Sequence, residues 1–294
     1  MSTLTVATMD GAALPSQVGM PAVGDVLVVA GPGCVAATRV GSWLAARGRG
    51  VVTGCAMPEA FHHGRIRGRE PTVMALLQST PERQRGDDLG RDHAGERFVH
   101  EALIAGAHDP QWAVLGDDYL RELKALCSWH DLIVVQRTSP AREKPLGGLD
   151  ELALACGLPM LILPTPCAPG ATYDRIVIAY DGSGPATRAL RSAMPLIVAA
   201  RHVHLLDGSG GRTHLPRFDP MRFLARFGVT AHRKRVAERS VDGSQLLARV
   251  AKLEPDLLVM GAYGHSPLRE RVLGGTTHHI LGSATLSVSV LVQH

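Results

Sequence analysis

No uninterrupted apolar run in the sequence approaches the roughly 20 residues a membrane-spanning helix needs, which excludes an integral helical membrane protein. The opening "MSTLTVATMDGAALPSQVGM" lacks the basic and apolar regions of a secretory signal, so the expectation is a cytoplasmic protein without a membrane partner. The five cysteines, Cys34, Cys55, Cys127, Cys156 and Cys167, include no C-x-x-C pair, and in so long a chain they do not suggest a disulfide framework; reduced thiols are expected. A net charge of +4 is spread through interleaved acids and bases, with no basic block to serve as a nucleic-acid footprint. A phosphate loop of the G-x-x-x-x-G-K-[ST] kind is missing, as is a kinase signature.

What is there is ordinary globular material, 45% hydrophobic and 20% charged, in 294 residues. At about 100–200 residues per domain this suggests two domains. Residues 1–22 read as a flexible leader rich in small residues. Order is expected from Asp25, where "DVLVVAG" is a buried strand, followed by an amphipathic helix with Ala36, Val40, Trp43 and Leu44 on one face and by the strand "GVVTGCAM". A polar stretch broken by Gly and Pro, about 59–96, reads as a long loop or partly ordered insertion. Helix "ERFVHEALIAGA", strand "QWAVLG", helix "DDYLRELKALCSWH", strand "DLIVVQ", helix "LDELALACG" and strand "LPMLILP" complete an alternation that a parallel α/β sheet requires.

After the Pro-rich linker "PTPCAPGATY" the plan repeats. With Asp174 laid on Asp25, "YDRIVIAYDGSG" matches the first opening; "DLLVMG" then stands where "DLIVVQ" did, and "LSVSVLV" where "LPMLILP" did. The expected fold class is therefore α/β, two tandem doubly wound parallel-sheet units at 23–167 and 172–294.

The most informative stretch is "DLLVMGAYGHSPLRERVLGGTTHHIL", Asp256 to Leu281. A short buried strand delivers a glycine loop to a helix, an arrangement that suits a phosphate. Gly261, Gly264 and Gly274 are spaced as G-x2-G-x9-G, which resembles the nucleotide-loop signature of the universal stress protein family, where Ser or Thr follows the last glycine. Here Gly275 follows, and Thr276 comes one residue later.

The resemblance covers nearly everything after the leader. It implies a five-stranded parallel sheet flanked by helices in each unit, with the two units pairing inside the chain as an intramolecular pseudo-dimer, and further pairing into a homodimer as an open option. It also implies ATP, with Mg or Mn carried on its phosphates, bound in the second half. There Asp181 would lie near the adenosine, Leu205 against the adenine, and Gly261, Gly264, Gly274, Gly275 and Thr276 around ribose and phosphates. In the first half Pro32, Gln136 and Ser139 stand where Asp181, Gly261 and Gly264 do, so that unit reads as degenerate, although Gly147 and Gly148 precede a helix there. Glycine at 275 keeps an amide and loses a hydroxyl whose hydrogen bond is worth about 0.5–3 kcal/mol.

The functional expectation is a nucleotide-responsive stress protein, a binding protein rather than an enzyme, with slow ATP hydrolysis at most. Its alternative is a tandem scaffold or interaction module that binds no nucleotide. The loop offers His265, Arg269, Arg271, His278 and His279, of which the arginines read as solvated surface, and no catalytic residue is assigned. His202 and His204 alternate on one strand face, but without a third ligand they read as packing or surface rather than a metal site. His62 and His63 with Arg65, Arg67 and Arg69 read as a solvated loop, and Cys34 as an inert small residue.

Overall fold

The computed structural model describes residues 22–30, 35–56, 88–116, 119–137, 156–167, 172–209, 219–236, 243–262, 276–282 and 287–294. Its elements run β1 (Val26–Ala30), α1 (Val35–Gly48), β2 (Val52–Ala56), α2 (Asp88–Ile104), β3 (Gln111–Ala113), α3 (Tyr119–Cys127), β4 (Leu132–Gln136) and β5 (Met160–Leu163). The second half follows with β6 (Arg175–Tyr180), α4 (Gly184–Ser192), α5 (Met194–Ile197), β7 (His202–Asp207), α6 (Pro220–Ala225), β8 (Ala231–Arg235), α7 (Gly243–Ala251), β9 (Leu257–Gly261), α8 (Thr276–Gly282) and β10 (Ser289–Gln293).

All ten strands form one sheet in the order β3-β2-β1-β4-β5-β10-β9-β6-β7-β8. Within each half every pairing is parallel. The halves join where β5 meets β10 antiparallel, with Leu161 opposite Leu291. Continuous apolar strands such as Leu132–Gln136 and Leu257–Gly261 are buried on both faces, because helices cover both sides of a parallel sheet. One core layer gathers α1, α2 and α4 with residues such as Val28, Leu190, Leu205 and Val259. The opposite layer gathers α3, α7 and α8 with Leu27, Leu123, Leu258 and Ile280.

A shared device opens each half. Asp131 Oδ2 accepts from the amides of Gly24 (3.1 Å) and Asp25 (3.0 Å), and Asp256 Oδ2 accepts from the amide of Arg175 (2.8 Å). In return the Asp131 amide donates to Asp25 O and the Asp256 amide to Arg175 O. Asp25 therefore corresponds to Arg175, one residue from the Asp174 that sequence alignment placed opposite it. In this register β1 and β4 pair Val26 with Leu132, and β6 and β9 pair Ile176 with Leu257. Asp181 then matches Gly31 by count instead of Pro32, both of which lie outside the described residues. Gln136 still matches Gly261, because each ends the fourth strand of its half.

Other departures are local. α2 begins at Asp88, eight residues before its expected start, because Asp88 and the polar turns after it continue the helix that "ERFVHEALI" ends. The helix expected over "PATRALRSAMPLIVAA" is split at Ala193, where Pro195 brings no amide hydrogen to continue the ladder. No helix among the described residues is long and apolar enough to cross a membrane.

Candidate functional site

In an open parallel sheet the connections leaving neighbouring strands turn to opposite faces at one place, and the strand ends there border a crevice. In the second half that place lies between β6 and β9, since α4 leaves β6 toward one core layer and α8 follows β9 in the other. Ala179 pairs with Met260, so Tyr180, Asp181 and Gly261, Ala262 are the residues at the crevice lip.

Asp181 is exposed there. Its Oδ1 accepts from the Ser183 amide at 2.9 Å, and Gly182 turns the chain at φ 81°. Ser183 in turn caps α4, its hydroxyl accepting from the Ala186 amide at 3.2 Å, with Pro185 in the first turn. The carboxylate is thus held at the lip by the same turn that starts the helix.

Gly261 has a structural reason to be glycine. A Cβ there would stand 2.4 Å from the Ala186 amide nitrogen and 2.8 Å from Pro185 C, so the start of α4 can approach β9 only over a bare Cα. Leu205 is fully buried in the core layer under α4, with no exposed surface. Thr276 opens α8 and is partly exposed, and Thr277 beside it is buried. Gly264, Gly274 and Gly275 lie outside the described residues, as do His265, Arg269, Arg271 and the side chain of His278; His279 is exposed. The structure therefore brings Asp181 and Gly261 to one lip and sets Leu205 in the core beneath.

A charged network beside the lip went unread in the sequence. Asp207, at the end of β7, is 5% exposed. Its Oδ2 accepts from Arg233 Nε at 2.7 Å and also from Arg233 Nη2, while its Oδ1 accepts from the Ser209 amide at 3.0 Å. Arg233 Nη1 reaches Asp219 Oδ2 at 2.8 Å, and Asp219 caps α6 by accepting from the amides of Met221 (2.8 Å) and Arg222 (3.3 Å). Burial alone would raise the Asp207 pKa, but hydrogen bonds from Ser209 and Arg233 outweigh it and hold the carboxyl below its ordinary value. The signal was an aspartate at a strand end followed by an arginine inside the "AHRKR" strand, residues too far apart in sequence to be paired by pattern.

The first half finishes its equivalent crevice differently. Gln136, the last residue of β4, and Arg137 after it are 8% and 9% exposed. Arg137 crosses to the second half, where its Nη2 donates to the Leu281 carbonyl of α8 at 2.7 Å; burial lowers its pKa. A guanidinium is well placed at the carbonyl end of a helix. Where the second half has Asp207 opposite Tyr180, the first has Ala56 opposite Ala30.

His202 and His204 do share a face of β7, and the structure adds His232 opposite His204, ring centroids 5.4 Å apart. Burial first, and then the charges of His232 and Lys234, push the His204 pKa down. No group of three metal-ligating side chains occurs among the described residues. His62, His63, Arg65, Arg67, Arg69 and Cys34 lie outside the described residues.

The geometry defines a doubly wound α/β domain with its switch point between β6 and β9, and the comparisons agree with that fold. Residues 172–292 match the model of the Universal stress protein family. The second half of the chain is a universal stress protein domain. The whole chain is similar in fold to a universal stress protein from Archaeoglobus fulgidus DSM 4304, at 14% identity and a TM-score of 0.55, covering 91% of this chain and 95% of that one. It is likewise similar to a protein from Pseudomonas aeruginosa UCBPP-PA14 described as of the same family, at 18% identity and a TM-score of 0.53, covering 92% and 93%. At these identities the likeness is one of fold. No curated protein matches the sequence.

Proposed function

We propose that the protein binds ATP at the β6–β9 crevice of its second half and acts as a nucleotide-responsive stress protein. The first half is then a degenerate copy that pairs with the second inside the chain. The observation that carries this reading is the switch-point lip, where the exposed Asp181 and the side-chain-free Gly261 stand beside each other within the domain that matches the family. The described residues fit an adenine nucleotide as a frame. The Asp181 carboxylate would accept from a ribose hydroxyl, and the Thr276 hydroxyl and the amides of the glycine loop before it would donate to phosphate oxygens. Magnesium or manganese would be carried on the phosphates. Hydrolysis has no assigned base and would be slow at most.

One observation favours the rival reading, a scaffold that binds no nucleotide. Gly261 is required by the approach of α4 whether or not a phosphate ever comes near, so this glycine alone does not argue for a ligand. Calorimetric titration with ATP and magnesium on Asp181→Asn separates the two. Binding weakened about tenfold, worth about 1.4 kcal/mol, with thermal stability unchanged, supports the nucleotide site. Heats identical to wild type would remove Asp181 from it.

A further inference from the structure

β8 is the outermost strand of the second half, and β7 is its one partner in the sheet. Of its five residues only Ala231 is apolar, and His232, Lys234 and Arg235 are exposed, so little buried surface ties it down. Side chains alternate along a strand, and the register sets Arg175 of β6, His202 and His204 of β7, and His232 and Lys234 of β8 on one face. No residue that these three strands turn to that face is acidic. Arg175 is paired at the rim with Glu254, at 3.5 Å.

His204 stands at the centre of this face. Its ring centroid lies 5.4 Å from that of His232, with the planes 32° apart, and its Nδ1 is buried without a hydrogen-bond partner. α7, which covers the same layer, contributes Leu246, Leu247 and Val250 to it, apolar side chains that offset no charge.

We propose that the β7–β8 edge is an acid-released clasp, in which a proton taken up by His204 parts β8 from β7 whether or not the crevice holds a nucleotide. Protonation puts an N–H on both ring nitrogens, and the one at Nδ1 has no acceptor where it stands. The imidazolium also faces His232 directly opposite, Lys234 beyond it, His202 on its own strand and Arg175 on β6, with no carboxylate among them. Moving β8 outward relieves both costs, since it opens Nδ1 to water and separates the charges.

The closed edge therefore favours the neutral ring. Burial first, and then the neighbouring positive charges, hold the His204 pKa below its ordinary value. With β8 released the ring takes its proton more readily, so the clasp is fully closed above the ordinary histidine value near ~6.5 and loosens as pH falls through it toward the closed-state value. On its other face β8 carries Arg233, which holds Asp207 and Asp219. Release of β8 withdraws that guanidinium from the network beside the lip, at a pH well above the range in which Asp207 itself takes a proton.

The test is amide hydrogen exchange of the wild-type protein without nucleotide, corrected for the intrinsic pH dependence of exchange. Between about pH 7.5 and about pH 5.5 the opening equilibrium of the Ala231–Arg235 amides should rise about tenfold, the change that one proton allows over the unit below ~6.5. The central strands β5 and β10 should not follow. An unchanged β8, or a rise shared equally by β5 and β10, overturns the clasp. In His204→Gln, which cannot titrate, the pH dependence of β8 should disappear, and its persistence would overturn the role given to His204. If that variant folds poorly, the wild-type ring decides: its NMR titration should fall below ~6.5, and a midpoint at or above that value would overturn the proposal.

Discussion

The two halves build the same five-stranded order and finish its crevice in opposite ways. In the second half the lip between β6 and β9 carries an exposed carboxylate, Asp181, beside a residue without a side chain, Gly261. In the first half the equivalent position between β1 and β4 carries Gln136 and Arg137, both nearly buried, and Arg137 is turned away to hold the end of α8. The contrast extends to the next strand, where Asp207 with its arginine partner stands in one half and Ala56 in the other. The sheet and core are thus repeated while the polar residues at the carboxyl ends of the strands are not. In an open α/β sheet that edge is where ligands bind, so under the proposed function the second half is the binding half and the first is structural.

Exchanging the residues that differ is the severest way to break the comparison. Gly261→Gln, which copies the first half, forces a side chain against the backbone of Pro185 and Ala186 and should destabilise the second half by about 3 kcal/mol, seen as a lower urea midpoint. The reverse change, Gln136→Gly, introduces no clash and should cost only about 1 kcal/mol, mainly through strand entropy. Similar losses in both variants would show that the two positions are equivalent after all.

Next in size is the acid sensitivity conferred by Asp207, at whose place the first half has Ala56. The folded-state pKa of Asp207 lies below its unfolded value, so its contribution is fully present above the ordinary aspartate range near ~3.9 and is lost as pH falls through that range toward the folded value. Asp207→Asn should cost about 2–3 kcal/mol at neutral pH by removing the charge that Arg233 is bonded to. The gap between variant and wild type should narrow steadily below about pH 4 in melting experiments. A constant gap down to acid would mean that the Asp207 charge is not what stabilises the network.

Much of this was legible before any coordinates. Apolar runs such as Leu132–Gln136 and Leu257–Gly261 announced buried parallel strands because nothing else buries both faces of so short a segment. Their regular alternation with helices left little choice of architecture. The register between halves was misread by one residue, since Asp174 and Asp25 look alike in sequence while the hydrogen bonds to Asp131 and Asp256 equate Asp25 with Arg175. At the site, Asp181 and Gly261 were named, but the reason for Gly261 was not: its neighbour is the start of α4, 75 residues earlier in the chain, and a contact of that separation leaves no local pattern. The same holds for Asp207 with Arg233, which are paired only by folding.

A smaller change would sharpen the comparison. Gly275→Ser restores the hydroxyl that the family loop carries, and a neutral hydrogen bond of about 0.5–1.5 kcal/mol should tighten ATP binding about two- to tenfold by calorimetry. Unchanged or weaker affinity would remove residue 275 from phosphate contact.

The central claim, one nucleotide site in the half that kept its lip open, is tested most directly by titrating the intact protein, freed of bound nucleotide, with ATP and magnesium in a calorimeter. The account predicts saturable heat with one ATP per chain. Two sites per chain would show the first half to be functional as well, and the absence of heat at millimolar ATP would contradict nucleotide binding and leave the paired halves as a scaffold.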